Sequence, residues 1–318
     1  MPVLKDDIMS KKKKKNEEIR LSTLVEADEP ESIFSEIEII ISNIIPEFDF
    51  NSFDRVFHDI VKLFHGDYPG YKKCNTEYHD LKHTTDTLLA LTRLIHGYFI
   101  NKGFLCEKNV FLGLVSALMH DTGYIQILDE KSGTGAKYTL EHVNRSISFM
   151  EKYFVKNSYS TEDFKFCKNC INVTTVSGKV DDINFSSSEE EVVGKILGTA
   201  DLSSQMADRI YLEKLLFLYY EFREGSVLGY ESELDMLKKT MDYYTSTKKK
   251  FEDKLGSMNK YMIYHFRERW NIDSDLYIKS IEKNIEYLNY ILDNHEKDYR
   301  NYLRRGNIAR KLYEKIVE

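Results

Sequence analysis

Apolar residues recur along this chain at the three-and-four spacing of a helix face, and little interrupts them. Ile33, Ile37, Ile40 and Ile41 make one such stripe, stopping near Pro46, and Phe53, Val56, Phe57, Ile60 and Phe64 make a second, closing at Gly66. Only four prolines and 15 glycines occur in 318 residues, and no segment alternates apolar and polar residues as a half-buried strand would. The expected fold is therefore all-α. With 42% hydrophobic residues the chain is ample for one large core or two small ones.

The same patterning divides the chain. Residues 1–30, with the run Lys11–Lys15, read as a disordered, solvated lysine-rich tail. Residues 31–225 read as a helical core, and residues 226–318 as a C-terminal helical extension with helices near 231–254, 257–270 and 274–303. The stripe Tyr277, Ile281, Ile285, Leu288, Ile291 and Leu292 either packs on the core or pairs with a second copy, making a homodimer. The net charge of −7 implies no general affinity for nucleic acid. No apolar run approaches the roughly 20 residues that cross a bilayer, so a cytoplasmic protein without membrane contact is expected. Cys167 and Cys170 form a CxxC on a helix, read as two half-buried thiols.

Chemistry concentrates in three places: Tyr78-His79-Asp80-Leu81-Lys82-His83, His120-Asp121, and Ala200-Asp201-Leu202-Ser203. Together they supply His, His, Asp and Asp, a mixture that can hold a divalent ion and leave positions open for water. Spacing predicts a helix capped at Thr76 that projects His79 and His83 from one face, about one turn apart. Asn109–Met119 is apolar almost all round, so that helix should be buried. A His-Asp pair at its end is costly unless something pairs with it, and a metal is the simplest partner. Asp201 is expected to begin a long helix, Ser203–Arg223, that closes the site. Thr139 is expected to cap a helix running to about Ser158 and carrying His142. Imidazole with carboxylate suits Zn, Fe, Mn or, with more waters, Mg.

These three pieces, in this order, resemble the HD-domain superfamily of metal-dependent phosphohydrolases. Tyr78-His79-Asp80-xx-His83 is similar to the YHNxxH motif of class I cyclic nucleotide phosphodiesterases. The resemblance covers roughly residues 60–225 and implies an HD-domain, phosphodiesterase-like helical bundle with extra C-terminal helices. It implies metal ligation by His83, His120, Asp121 and Asp201, with Asp121 in the catalytic centre, and a general-acid role for His79. It implies hydrolysis of a phosphodiester or phosphomonoester in a small nucleotide-like substrate, a cyclic nucleotide among the candidates. A second expectation is a non-catalytic HD-domain module that senses a ligand. His142, in Glu141-His142-xx-Arg145-Ser146, resembles a third histidine of bacterial HD domains, able to bind or orient a second metal or its water. The chain departs from the phosphodiesterases in having Asp80 for Asn and Thr122-Gly123-Tyr124 after the His-Asp pair, which leaves one metal expected and the second open. Its only glutamines, Gln126 and Gln205, do not fall where those enzymes read a base. Lys82, Arg145 and Arg209 are the candidate phosphate-binding cations. His58-Asp59 is a second His-Asp dipeptide, read as surface residues without partners.

Overall fold

The computed structural model describes residues 19–175, 180–310 and 312; the Lys11–Lys15 run lies outside them. The fold is all-α, with no strand among the described residues and a single isolated bridge, Tyr71 to Ile127. In chain order the helices are α1 (Pro30–Ile44), α2 (Phe50–His65), α3 (Leu81–Lys102), α4 (Glu107–Met119), α5 (His142–Lys156) and α6 (Thr161–Asn172). They continue with α7 (Ser188–Ala207), α8 (Tyr211–Glu224), α9 (Glu233–Asp253), α10 (Met262–Trp270) and α11 (Leu276–His295).

The bundle is organised round α3, which packs against α1, α4, α7 and α10. Its sequence suits that place: apart from Asp86, every residue from His83 to Gly97 is buried. A helix surrounded on so many sides needs a thin face somewhere. Gly97 supplies it, because a Cβ there would sit 1.9 Å from the carbonyl oxygen of Tyr261, in the short turn Met258–Tyr261 that leads into α10. The stripe Tyr277, Ile281, Ile285, Leu288 and Ile291 of α11 is buried against the chain itself, α7 included, and belongs to the same apolar cluster as α1–α8. Intrachain packing, not a second copy, covers those residues.

Several helix boundaries differ from those expected. Asp80, not Thr76, caps α3, accepting from the His83 N–H at 2.8 Å, so His79 lies outside the helix, in the bend that precedes it. Asp and Asn cap helices equally well, which accounts physically for Asp80 at this position. α5 begins at His142; Thr139 instead ends a short 3₁₀ turn, Gly135–Tyr138. α7 runs through Asp201 to Ala207, and a turn at Asp208, whose carboxylate accepts from the Ile210 N–H, separates it from α8. The expected 203–223 helix is thus two helices, and Asp201 is mid-helix.

Other expectations change through packing. Residues 19–30 are not a loose tail: Leu21, Leu24, Val25 and Ala27 pack on the core ahead of α1. Cys167 and Cys170 are fully buried free thiols, not half-buried ones. His58 and Asp59 do have partners, His58 contacting Glu31 and the Asp54 carbonyl and Asp59 accepting from the Tyr153 hydroxyl.

Replacing Gly97 by Ala should push α3 and the Met258–Tyr261 turn apart, since backbone cannot swing aside as a side-chain tip can. The expected cost is about 1–3 kcal/mol, read as a lower urea midpoint.

Candidate metal centre

Four polar side chains meet where α3 begins, α4 ends and α7 passes. His83 enters from the first turn of α3, positioned by the Asp80 cap. His120 is the C-cap of α4 and Asp121 follows it. Asp201 comes from the middle of α7. His83 Nε2 lies 3.1 Å from Asp121 Oδ2, 3.3 Å from Asp201 Oδ1 and 3.3 Å from His120 Nε2. His120 Nε2 lies 3.3 Å from Asp121 Oδ2 and 3.8 Å from Asp201 Oδ1. His83, His120 and Asp121 each offer an atom within 4.8 Å of the others, a buried group that could hold a metal ion. Asp201 stands at the edge of that trio, close to both imidazoles.

The surrounding bonds aim the ligand atoms inward. His120 donates its Nδ1–H to the Ala117 carbonyl at 2.8 Å, which leaves the Nε2 lone pair facing the cluster. Two Nε2 atoms 3.3 Å apart, both beside carboxylate oxygens, repel unless a proton or a cation lies among them. Asp121 Oδ2 is fully buried without a conventional hydrogen bond among the described residues. A divalent cation satisfies all of these groups, so the donor set fits one.

Charge state follows from the same contacts. Burial pulls the His83 imidazole down, but the Asp121 and Asp201 carboxylates outweigh it and hold His83 up at about 10. His120 is raised too, against burial, chiefly by Asp121. Burial raises Asp121, yet His120 and His83 bring it well below the ordinary carboxylate range, and Asp201 is lowered by His83 and His120 in the same way. Without a cation, the cluster therefore holds a proton on imidazole at neutral pH.

Two further histidines stand at the rim. The side chains of His79 and His142 are 12% and 15% exposed, against 4% and 1% for His83 and His120, so they are the ones that can meet a molecule from solvent. His142 donates Nδ1–H to the Thr139 carbonyl at 2.6 Å and places Nε2 3.8 Å from Asp121 Oδ1. Burial lowers its pKa, which keeps it neutral. The ring of Tyr124 stacks on His79 at 4.2 Å and on His142 at 4.7 Å. Gly123 makes this approach feasible: a Cβ there would lie 1.9 Å from the His142 carbonyl oxygen.

The candidate cations go elsewhere. Arg145 donates to the Gly123 and Ile125 carbonyls and stacks on Tyr138, clamping the turn after Asp121. Lys82 is paired with Asp86 at 2.6 Å. Arg209 lines, with Lys82, a cavity to which none of the four clustered residues contributes. The structure brings none of the three to the cluster as a free cation.

Two residues that the sequence did not single out buttress the site. Gln205, one turn after Asp201, donates Nε2–H to Asp201 Oδ1 at 2.6 Å and accepts from the Tyr78 hydroxyl. The i, i+4 spacing was the available signal. Glu221 of α8 is buried; its Oε1 accepts from the Glu77 and Tyr78 N–H groups and its Oε2 lies 2.7 Å from His79 Nδ1. Its signal was an acid set in the apolar and aromatic run Phe217–Phe222.

A family model described as Npun_R2479-like matches residues 127–261, a span holding His142, Asp201, Gln205 and Glu221 but not the first two histidine motifs. None of the curated proteins and none of the solved structures compared with the chain matches it.

Because the imidazoles must lose protons to bind a cation, uptake of a divalent ion should release protons at neutral pH, and affinity should rise with pH until His83 deprotonates at about 10. Calorimetry in two buffers of different ionisation enthalpy reads both. Alanine at His83, His120 or Asp121 should abolish tight binding. Gln205→Ala should weaken it roughly 10- to 100-fold while leaving the fold intact.

Proposed function

We propose that the chain is an HD-type, metal-dependent phosphohydrolase that cleaves a phosphoester of a small nucleotide-like substrate. The observation that carries this reading is His79. It stands beside the buried His/Asp cluster, its ring 6.0 Å from that of His83, with one nitrogen on a buried carboxylate and the other turned away from it. That arrangement suits a proton donor to a leaving group.

His83, His120, Asp121 and Asp201 would hold the cation, and His142, facing the second oxygen of Asp121, would hold or orient a second ion or its water. A divalent ion in such a site lowers the pKa of a bound water and polarises a phosphoryl oxygen. Glu221 accepts the Nδ1–H of His79 and fixes the orientation and tautomer of its ring. The proton on Nε2 then passes to the departing alkoxide. Tyr124 limits rotation of the His79 ring by stacking on it, and its hydroxyl lies 3.5 Å from Nε2. Gln205 keeps Asp201 oriented toward the imidazoles.

Turnover of phosphodiesters by metal-loaded protein tests this reading. His79→Ala should lower kcat roughly 10²- to 10⁴-fold on esters with alkoxide leaving groups. The loss should be far smaller for p-nitrophenyl esters, whose leaving group needs no proton, and metal affinity should be unchanged. Glu221→Gln should lower kcat on the same esters by less than His79→Ala and leave metal affinity unchanged, because the ring keeps its place but loses the carboxylate that anchors Nδ1. Metal binding without turnover of any phosphoester would leave the ligand-sensing module as the correct reading.

A further inference from the structure

A histidine that faces a cation needs a partner for its other ring nitrogen, because that partner fixes the tautomer and the orientation of the ring. His120 donates Nδ1–H to the Ala117 carbonyl, His142 donates to the Thr139 carbonyl, and His79 Nδ1 rests on Glu221. His83 differs from all three. Its Nε2 lies among the carboxylates of the cluster, while its Nδ1 has no hydrogen bond to a protein group among the described residues.

A cavity of about 10 Å³ adjoins this ring, on the scale of the roughly 10–15 Å³ that one water needs. His83 lines it together with Asp86 of α3, Asp208 in the turn after α7 and Lys214 of α8. None of His120, Asp121 and Asp201 lines it, so His83 meets the cavity with the part of its side chain turned from the cluster. Lys214 is buried, yet its Nζ stands 3.6 Å from Asp80 Oδ2 and 3.9 Å from Asp208 Oδ2, too far for a direct hydrogen bond to either. Polar groups held at such distances are characteristically bridged by water. Asp86 Oδ2 accepts from Lys82 and Asp208 Oδ1 from the Ile210 N–H, and the other oxygen of each has no hydrogen bond among the described residues.

We infer that this cavity binds a single water, which accepts from His83 Nδ1–H and the Lys214 amine and donates to Asp86 and Asp208. Two donors and two acceptors satisfy a water completely. An ionised carboxylate only accepts, and although burial raises Asp86, to about 6, it stays ionised above neutral pH. Both hydrogens of the water are then committed to carboxylates, and it can meet the His83 ring only as an acceptor. Nδ1 therefore keeps its hydrogen, and Nε2 keeps the lone pair that a cation in the cluster would take. Lys214 becomes a positioning residue. Through the water it orients the His83 ring, and through Asp80, whose Oδ1 accepts from the His83 N–H, it steadies the backbone that carries the ring. The inference rests on the reading of the cluster as a cation site and not on hydrolysis.

A high-resolution crystal structure of the full chain, grown above neutral pH, tests the water directly. It should show one ordered water within hydrogen-bonding distance of both His83 Nδ1 and Lys214 Nζ. Long-range proton–nitrogen NMR of the histidine rings, on the chain loaded with Zn²⁺, should find His83 protonated at Nδ1 and bound through Nε2. Lys214→Met, which removes the ammonium and keeps most of the bulk, should weaken Zn²⁺ binding roughly 10- to 100-fold. The same variant should move the nitrogen shifts of the His83 ring and leave those of His120, anchored on Ala117, in place. General loosening of the fold would move both rings. A cavity without water, a His83 Nδ1 bonded directly to a side chain, or His83 shifts unmoved by Lys214→Met would overturn the proposal. Should the variant fold poorly, the crystal structure of the unaltered chain still decides. That readout needs neither metal nor turnover, so the water can be absent while the cation site stands, and present where the phosphohydrolase reading fails.

Discussion

Two imidazoles and two carboxylates are buried side by side where the start of α3, the end of α4 and the middle of α7 meet, and that encounter governs the rest of the molecule. Isolated, any one of these groups would be intolerable in an apolar interior. Together they compensate one another: carboxylates hold imidazoles protonated, and imidazoles hold carboxylates ionised. The compensation works only at distances of 3–4 Å, which requires three helices to converge accurately. The apolar mass of α4 and the many-sided burial of α3 supply the rigidity for that convergence.

Close backbone approach sets how tightly the parts can meet. At Gly97 the turn before α10 presses on α3, and at Gly123 the start of α5 presses on the turn that follows Asp121. Arg145 and Ser146 lock the second contact: the arginine donates to the turn's carbonyls, while the serine hydroxyl accepts from Gly123 N–H and donates to the His120 carbonyl. The Glu141-His142-xx-Arg145-Ser146 segment thus brings His142 to the rim and holds the backbone of the His-Asp pair with the same turn of helix.

Local signals were read successfully where local physics decides. The all-helical class followed from apolar periodicity and the scarcity of breakers, and the end of α4 at the His-Asp pair followed from an apolar run giving way to polar residues. Signals failed where a different local choice was equally cheap. Thr76 and Asp80 are both competent caps, and only the carboxylate accepting from the His83 N–H shows which one starts α3. The stretch Ser203–Ile210 carries no proline or glycine, so nothing in it announced that one helix would end and another begin.

The residue types and their order along the chain already specified the helical class and the donor types of a His/Asp cluster that could hold a cation, because periodicity, breaker content and donor type are properties of short segments. The supporting shell came only from tertiary structure. Glu221 reaches His79 across 142 positions, and Arg93 meets Tyr277 across 184. No short window of sequence distinguishes a carboxylate that will face solvent from one that will be buried against an imidazole, or an arginine that will reach solvent from one that will be buried against aromatic rings. Those fates depend on which helices meet, and long-range packing alone settles that.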